Sequence, residues 1–471
     1  MQSINEKYYF SNFAHVVSKN GIYAFYHSLR MKPVFVKKEI YELIMDRKHE
    51  SPAKDYLEIN PRDKNELIEQ TIAALLDNKI LSKDKNTDQE VLRVFRKSLK
   101  QPYVKTAFFL LTDKCNFACK YCYLEKEVEK RGKVPGHMSE ETARQAVEFF
   151  ARLTRLDSAR FHEEKQIIFY GGEPLMNFAV LETILAEIKK LQHKQLLTKN
   201  LKLNMISNGS LITAGIARKM KESGIGLSIS IDGDETATNS SRCYASGKPV
   251  YEDIRKGMDI CKQENFPFGL SVTLTESSLN NTEKTSNIIF DTGAVSLGLN
   301  PILQTSDDIE LPADYAERAA DFIIESYQKY RKQGISEDRM MRKAHAFKHS
   351  TVYPFDCHAA GGNQIIVTPE GKVGICQGLM YAGKYDVTDV YDDSFVPTQN
   401  EIYLEWSKRS PLNMDECKDC LALGICGGGC PFVAESKEGS IWGIDRQFCV
   451  HAKKTTEWLI FDLFEQANGA E

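Results

Sequence analysis

Three cysteines stand close together in Thr112–Tyr123 (TDKCNFACKYCY): Cys115, Cys119 and Cys122, with three residues in the first gap and two in the second. Thiolates are soft ligands that select zinc, copper(I) or iron–sulfur clusters. A tetrahedral zinc ion or one iron of a four-iron cluster takes four donors, so three thiolates leave a position open. Open positions are where bound metals do chemistry. Spacing alone keeps two readings alive. One is a site with a vacancy for a reactant. The other is a structural zinc site completed by a distant cysteine or histidine, or thiols that are simply buried.

Seven further cysteines follow the same logic nearer the carboxyl end. Cys357 is followed after thirteen residues by Gly371 and after four more by Cys376. Cys417, Cys420, Cys426 and Cys430 are separated by two, five and three residues, and Cys449 follows after eighteen. Only Cys243 and Cys261 stand apart, as small hydrophobes of the interior. Twelve cysteines in 471 residues are too sparse for a disulfide scaffold, and their clustering reads first as metal ligation in a reducing compartment.

Strands and helices must position these residues. VKTAFFLL runs straight into the three-cysteine loop, and QIIFYGG, LKLNMIS, GLSISIDG, FGLSVTLT and AVSLGLNP are further short β-rich segments. Amphipathic stretches such as SEETARQAVEFFARLTRL and NFAVLETILAEIKKLQ separate most of them. Strands alternating with helices predict βαβ units and a parallel sheet over about 103–345. Six units are too few for a closed eight-fold barrel, so the expected fold class is α/β, a partial (β/α)6 barrel of TIM type. Ligands then belong at the carboxyl ends of the strands. The cysteine loop, Gly171-Gly172 with Glu173 in YGGEP, Ser207-Asn208 in ISNGS, and SIDG (Ser230–Gly233) all fall there. The glycine pair lets backbone approach a ligand closely, and Glu173 offers an acceptor for a ligand ammonium group. Asp232-Gly233 also reads as a plain turn.

Residues 1–95 form a smaller unit. Phe35–Met45 has helical spacing, Asn60-Pro61 offers an N-cap and first-turn proline for a second helix, and YYFSNF, GIYAFYH and ILSKD are β-type. The pattern resembles a winged helix–turn–helix; the alternative is a packing extension. From about 350 to 455 glycine and cysteine are frequent and helical periodicity is scarce, until TTEWLIFDLFEQA predicts a terminal helix, taken as 456–471. A net charge of −4 makes no electrostatic case for nucleic acid or an anionic membrane. The longest apolar runs fall far short of the ~18 residues that span a bilayer. No signal-peptide pattern opens the chain, and a cytoplasmic location is expected.

With its aromatic residue before the last cysteine and a strand upstream, the loop resembles the signature of the radical S-adenosylmethionine (SAM) superfamily. GGEP resembles that family's SAM-binding motif one βα unit downstream. The resemblance implies that Cys115, Cys119 and Cys122 hold a [4Fe–4S] cluster whose fourth iron is chelated by SAM. Reductive cleavage would then give methionine and a 5′-deoxyadenosyl radical. It also implies Gly171, Gly172, Glu173, Ser207, Asn208, Ser230 and Arg242 as SAM-contact candidates, with strand-end capping the competing role for Ser207, Asn208, Ser230 and Arg242.

The seven-cysteine tail resembles the SPASM extension of enzymes that mature peptides and proteins. The resemblance implies two auxiliary [4Fe–4S] clusters. Cys417, Cys420, Cys426 and Cys449 would ligate the outer one; Cys357, Cys376 and Cys430 would serve the inner one. Fully ligated relatives add a cysteine just before the first of the seven, but KHSTVYPFDC has none before Cys357. A second vacancy is therefore expected. Sulfatase-maturing relatives carry an aspartate after the cysteine matching Cys376, where this chain has Gln377, which has no accessible proton-transfer pKa. The expected activity is thus maturation of a ribosomally made precursor peptide, with a cysteine thioether as favoured product. Carbon–carbon or carbon–oxygen crosslinking and sulfatase-type oxidation are the alternatives, and a non-enzymatic iron–sulfur carrier or zinc-bearing interaction protein is the competing class. The expected partners are a precursor whose leader binds the N-terminal unit, and an electron donor such as flavodoxin or ferredoxin.

Overall fold

The computed structural model describes residues 6–51, 54–59, 66–97, 99, 101–124, 127, 132, 134, 136–305 and 310–469. Asn60-Pro61, expected to start a helix, lies outside them. The N-terminal unit opens with β1 (Glu6–Phe10), β2 (Ala14–Lys19), β3 (Ile22–His27) and β4 (Val34–Lys37), followed by the helix Lys38–Met45. Then come β5 (Lys48–His49), β6 (Tyr56–Ile59), the helix Glu66–Asp77, β7 (Leu81–Ser82) and the helix Thr87–Lys97. The strands form two antiparallel sheets, β5-β6-β1-β7 and β2-β3-β4. The helix expected from Phe35 begins only at Lys38, because Val34–Lys37 is recruited as a strand against β3. Tertiary pairing overrides the helical periodicity there.

The middle of the chain supplies β8 (Thr106–Thr112), β9 (Lys165–Gly171), β10 (Leu201–Ser207), β11 (Ile225–Ile231), β12 (Phe268–Leu274) and β13 (Ser296–Pro301). All six are parallel and neighbour one another in sequence order. In β8 both faces are largely buried, which is why TAFFLLT reads as an unbroken apolar run. In β9 and β11 buried residues alternate with half-buried or exposed ones. Ile225, Leu227, Ile229 and Ile231 enter the main core, while Ser228 and Ser230 face the barrel interior. The helix Glu140–Arg155, capped by Ser139, buries Ala143, Ala146, Val147 and Phe150 against the strands. This is the partial barrel expected from the strand–helix alternation.

Two-residue β14 (Ser336–Glu337) ends the sheet beside β13. At the other edge β15 (Gln364–Val367) pairs parallel with β8, and β16 (Lys372–Gly374) and β17 (Asp386–Asp389) continue it antiparallel. The strand system therefore extends beyond the span 103–345 read from the sequence. The terminal helix runs Arg446–Ala467, starting well before TTEWLIFDLFEQA and carrying Cys449 near its start. Its earlier residues lack amphipathic periodicity because His451 and Ala452 are buried alongside Thr455 and Thr456. Arg331 pairs both carboxylate oxygens of Asp462 at 2.6 and 2.8 Å, fastening this helix to Tyr315–Arg331. The sheet β2-β3-β4 packs on it too: Ala24, Tyr26, Phe347, Ile425, Leu459, Ile460 and Phe461 share one cluster.

Candidate active site

The cysteine loop leaves β8 at Thr112 and is clamped from two sides. On the first, β9 ends in Gly171 and Gly172, whose backbone lies directly on the approach to the loop. Gly172 N–H donates to Thr112 O at 2.8 Å and Glu173 N–H to Lys114 O at 2.9 Å. A Cβ on Gly171 would sit 2.2 Å from Thr112 O, and one on Gly172 2.2 Å from Lys114 O. Gly171 also has φ +134°, which side chains disfavour. The pair was expected to make room for a ligand; the backbone it accommodates is that of the cysteine loop.

Glu173 is 1% exposed, and its carboxylate is occupied within the protein. Oε1 accepts from Ser207 Oγ (2.8 Å) and Leu175 N–H (3.1 Å), and Oε2 accepts from Asn208 N–H at 2.7 Å. Burial nevertheless pushes its carboxyl up to about 7. Asn208 extends the chain of contacts, its Nδ2 donating to Asn116 Oδ1 at 2.9 Å inside the cysteine loop. Glu173, Ser207 and Asn208, expected on SAM, thus come together as a scaffold that orients the loop.

The second clamp follows β11. Asp232 is fully buried and accepts from Tyr121 Oη (2.7 Å), Ser241 Oγ (2.6 Å) and Arg242 Nε (2.9 Å). Asp232 is therefore an electrostatic anchor and not a plain turn. Arg242, 6% exposed, lies over the Tyr121 ring, and its carboxylate partner is Asp232. Ala118 N–H donates to Cys243 O at 2.7 Å and Lys120 N–H to Ser241 O at 2.9 Å, so the loop runs as a short ribbon along 241–244. Cys243 is not fully buried, as had been expected; its thiol donates to Ala118 O at 3.3 Å. Cys261 is buried as expected. Ser230 stands apart from both clamps, half-buried on the same face of β11 as Ser228. Asn116 and Tyr121 were not singled out from the sequence, and Asp232 was read there only as part of a turn. The signal was their position, since polar residues inside a ligand loop need partners to fix them.

The C-terminal segment reaches this site through aromatic residues of the loop. Gln377 Nε2 donates to Tyr123 Oη at 2.8 Å, Tyr123 packs edge-on against Phe432, and Tyr381 Oη donates to Asp113 at 3.1 Å.

The electrostatic neighbours of the thiols fall into three sets. Cys119 feels Cys122 and Cys115. Cys430 feels Cys376 and Cys357, and Cys376 feels Cys357. Cys420 and Cys449 both act on Cys417 and on Cys426, and Cys420 acts on Cys449. Burial pushes Cys119, Cys376 and Cys426 up to about 12, so a bound metal must displace their protons. Among the described residues no three His, Cys, Asp or Glu side chains converge on a single metal ion.

Local backbone explains the second and third sets. Asp356 N–H donates to Gly427 O at 2.9 Å and Tyr353 N–H to Gly424 O at 2.7 Å, drawing Cys357 toward the CGGGC turn. Cys430 N–H donates to Asp445 Oδ2 at 3.2 Å. A cavity of about 200 Å³ lined by Cys357, Cys430, Asp356, Asp445, Arg339 and His451 opens here. His451 is 2% exposed, and neither ring nitrogen has a protein partner. A larger cavity of about 800 Å³, lined by Ser228, Ser271, Ser296, Asn300, Arg342 and Tyr353 among others, occupies the barrel interior.

Residues 109–286 match the Radical SAM superfamily model. The chain is 24% identical over 365 residues to the radical SAM cyclopropyl synthase TigE of Paramaledivibacter caminithermalis, spanning 74% of this chain and 72% of that protein. It is 23% identical over 374 residues to a cysteine-type anaerobic sulfatase-maturating enzyme of Clostridium perfringens, spanning 75% of this chain and 96% of the relative. In fold it is similar to anSMEcpe with bound AdoMet and Cp18Cys peptide, with a TM-score of 0.64 at 17% identity over 78% of this chain and 99% of the other. It is also similar to Streptococcus suis SuiB bound to S-adenosylmethionine, with a TM-score of 0.54 at 12% identity over 94% and 99% of the two chains. The chain carries a radical SAM domain over residues 109–286.

Proposed function

We propose that the protein is a radical SAM maturase of a ribosomally made precursor peptide, and that it installs a crosslink, with a cysteine thioether the favoured bond. The observation that carries the reading is the second shortage of ligands. Cys357, Cys376 and Cys430 form a three-cysteine set beside a cavity, as Cys115, Cys119 and Cys122 form one in the barrel-end loop. In this reading Cys115, Cys119 and Cys122 hold a [4Fe–4S] cluster with SAM, which supplies a 5′-deoxyadenosyl radical able to take a hydrogen atom. Cys417, Cys420, Cys426 and Cys449 hold an outer auxiliary cluster, and Cys357, Cys376 and Cys430 an inner one with room for a substrate sulfur.

The protein's own residues keep the loop in register. Glu173 and Asn208 hold it from one side, and Asp232 with Arg242 from the other. Glu173 supports SAM binding by holding backbone in place, since its carboxylate already takes three protein donors. Ser230 and the interior cavity provide the surface for the reacting segment. The N-terminal unit is read as the leader site, where an extended peptide would add to an edge strand such as β2. Gln377, bonded to Tyr123, offers no base, which disfavours sulfatase-type oxidation. A sulfatase-maturating relative agrees with a protein substrate, and a cyclopropyl synthase among the relatives leaves the bond open.

The test pairs the protein, SAM and a reductant with the product of a short cysteine-containing reading frame beside its gene. Crosslinking removes two hydrogens, one taken by the deoxyadenosyl radical and one leaving as a proton, whose electron an auxiliary cluster would accept. A peptide lighter by two hydrogens, with its cysteine resistant to alkylation, is expected. Deoxyadenosine release with unchanged peptide mass would contradict the reading.

A further inference from the structure

Arg409 is 0% exposed, among the largest fully buried side chains of the molecule. Every hydrogen bond it makes goes to a main-chain carbonyl. Nη1 donates to Gly428 O (2.9 Å) and Gly429 O (3.4 Å), Nη2 to Gly443 O (3.3 Å), and Nε to Ile441 O. Among the described residues no carboxylate forms an ion pair with it. Asp445 is near enough to act on its charge, but both Asp445 oxygens accept main-chain N–H groups, from Phe448 and Cys430. A guanidinium wholly out of water without a paired anion costs several kcal/mol. The remaining neighbours that act on its charge are Cys357, Cys430 and Cys426.

The backbone around it is shaped to this contact. Gly427, Gly428 and Gly429 all have positive φ and link Cys426 of one set to Cys430 of the other. A Cβ on Gly428 would sit 3.2 Å from Arg409 Nη1, and one on Gly429 2.9 Å from Asp445 Cβ. Arg409 thus grips the one short segment that joins the two sets. Metal-bound thiolates are anionic, and adding an electron to the centre they hold makes it more negative by one charge. A fixed cation beside them stabilises the reduced form.

We infer that Arg409 is the buried counter-charge shared by the two cysteine-held centres of the C-terminal segment, a positioning residue that raises their reduction potentials and so favours their receipt of an electron. The inference rests on the proposal that those centres are iron–sulfur clusters. The experiment uses the full chain with Cys115, Cys119 and Cys122 replaced by alanine, so that only the C-terminal centres contribute, and compares it with Arg409→Met and Arg409→Lys versions. Iron is counted first, and an EPR-monitored titration with dithionite follows. About eight irons are expected in the parent. In Arg409→Met the ratio of reduced to oxidised centre at a fixed potential is expected to fall at least tenfold, equivalent to about 59 mV for one electron. Arg409→Lys, which keeps the charge, is expected to stay within threefold of the parent. Should Arg409→Met not hold iron, Arg409→Gln is titrated in its place with the same expectation. Iron retained with an unchanged reduced fraction would overturn the role of Arg409. A parent without auxiliary iron would instead overturn the cluster assignment itself.

Discussion

Glu173 joins two strand ends through one carboxylate, and its behaviour with pH follows from its burial. With its carboxyl raised from 4.5 to about 7, the folded chain keeps a proton that the unfolded chain releases within that window. This group's contribution to stability is therefore complete below about 4.5 and falls by roughly 3 kcal/mol as pH rises through 7. Glu173→Gln removes the titration while keeping the shape, so its melting temperature should decline less between pH 5 and 7 than that of the natural protein. Superimposable curves would contradict the assignment. Residue type and spacing made the ten cysteines of the three sets legible in the sequence, since few other patterns use thiols so densely. That Glu173, Asn208 and Arg242 hydrogen-bond within the protein was not legible there. That depends on Asn116, Tyr121 and Asp232, which converge only after folding.

At the scale of elements, the two clamps on the cysteine loop make opposite demands. The Gly171-Gly172 clamp is steric. Gly172→Ala places a Cβ at 2.2 Å from Lys114 O and must push β9's end off the loop. A stability loss of about 1–3 kcal/mol is expected, with a larger proportional loss of SAM cleavage. Denaturant unfolding and deoxyadenosine formation would measure the two, and wild-type rates of SAM cleavage would refute the clamp. The Asp232 clamp is electrostatic. Asp232→Asn leaves Arg242 buried without its carboxylate partner and is expected to cost about 3–5 kcal/mol. Paired replacement of Asp232 and Arg242 by apolar residues should recover part of that loss, and no recovery would show that the pair does not act as a unit. β8 was readable because burial on both faces leaves an apolar run, and β9 and β11 because buried and less buried residues alternate. The strand Val34–Lys37 and the early start of Arg446–Ala467 were not, because a partner strand and a buried polar face decide them.

At the scale of the whole molecule, the N-terminal unit and the terminal helix share a core. Removal of residues 1–95 would uncover Phe347, Ile425, Leu459 and Phe461, all at most 7% exposed in the intact chain. The truncated protein is expected to melt more than about 5 °C lower, beyond any loss of peptide affinity. An unchanged melting temperature would mean that the unit is independent of the cysteine-rich segment it rests on. Three thiolates after β8 are proposed to leave a place for SAM, while the seven cysteines from Cys357 to Cys449 would hold two further centres. Anaerobic iron quantitation with measurement of 5′-deoxyadenosine tests it most directly. About twelve irons per chain and reductant-dependent deoxyadenosine formation, abolished in Cys115→Ala with loss of about four irons, are predicted. Stoichiometric zinc with no turnover of SAM would contradict the account.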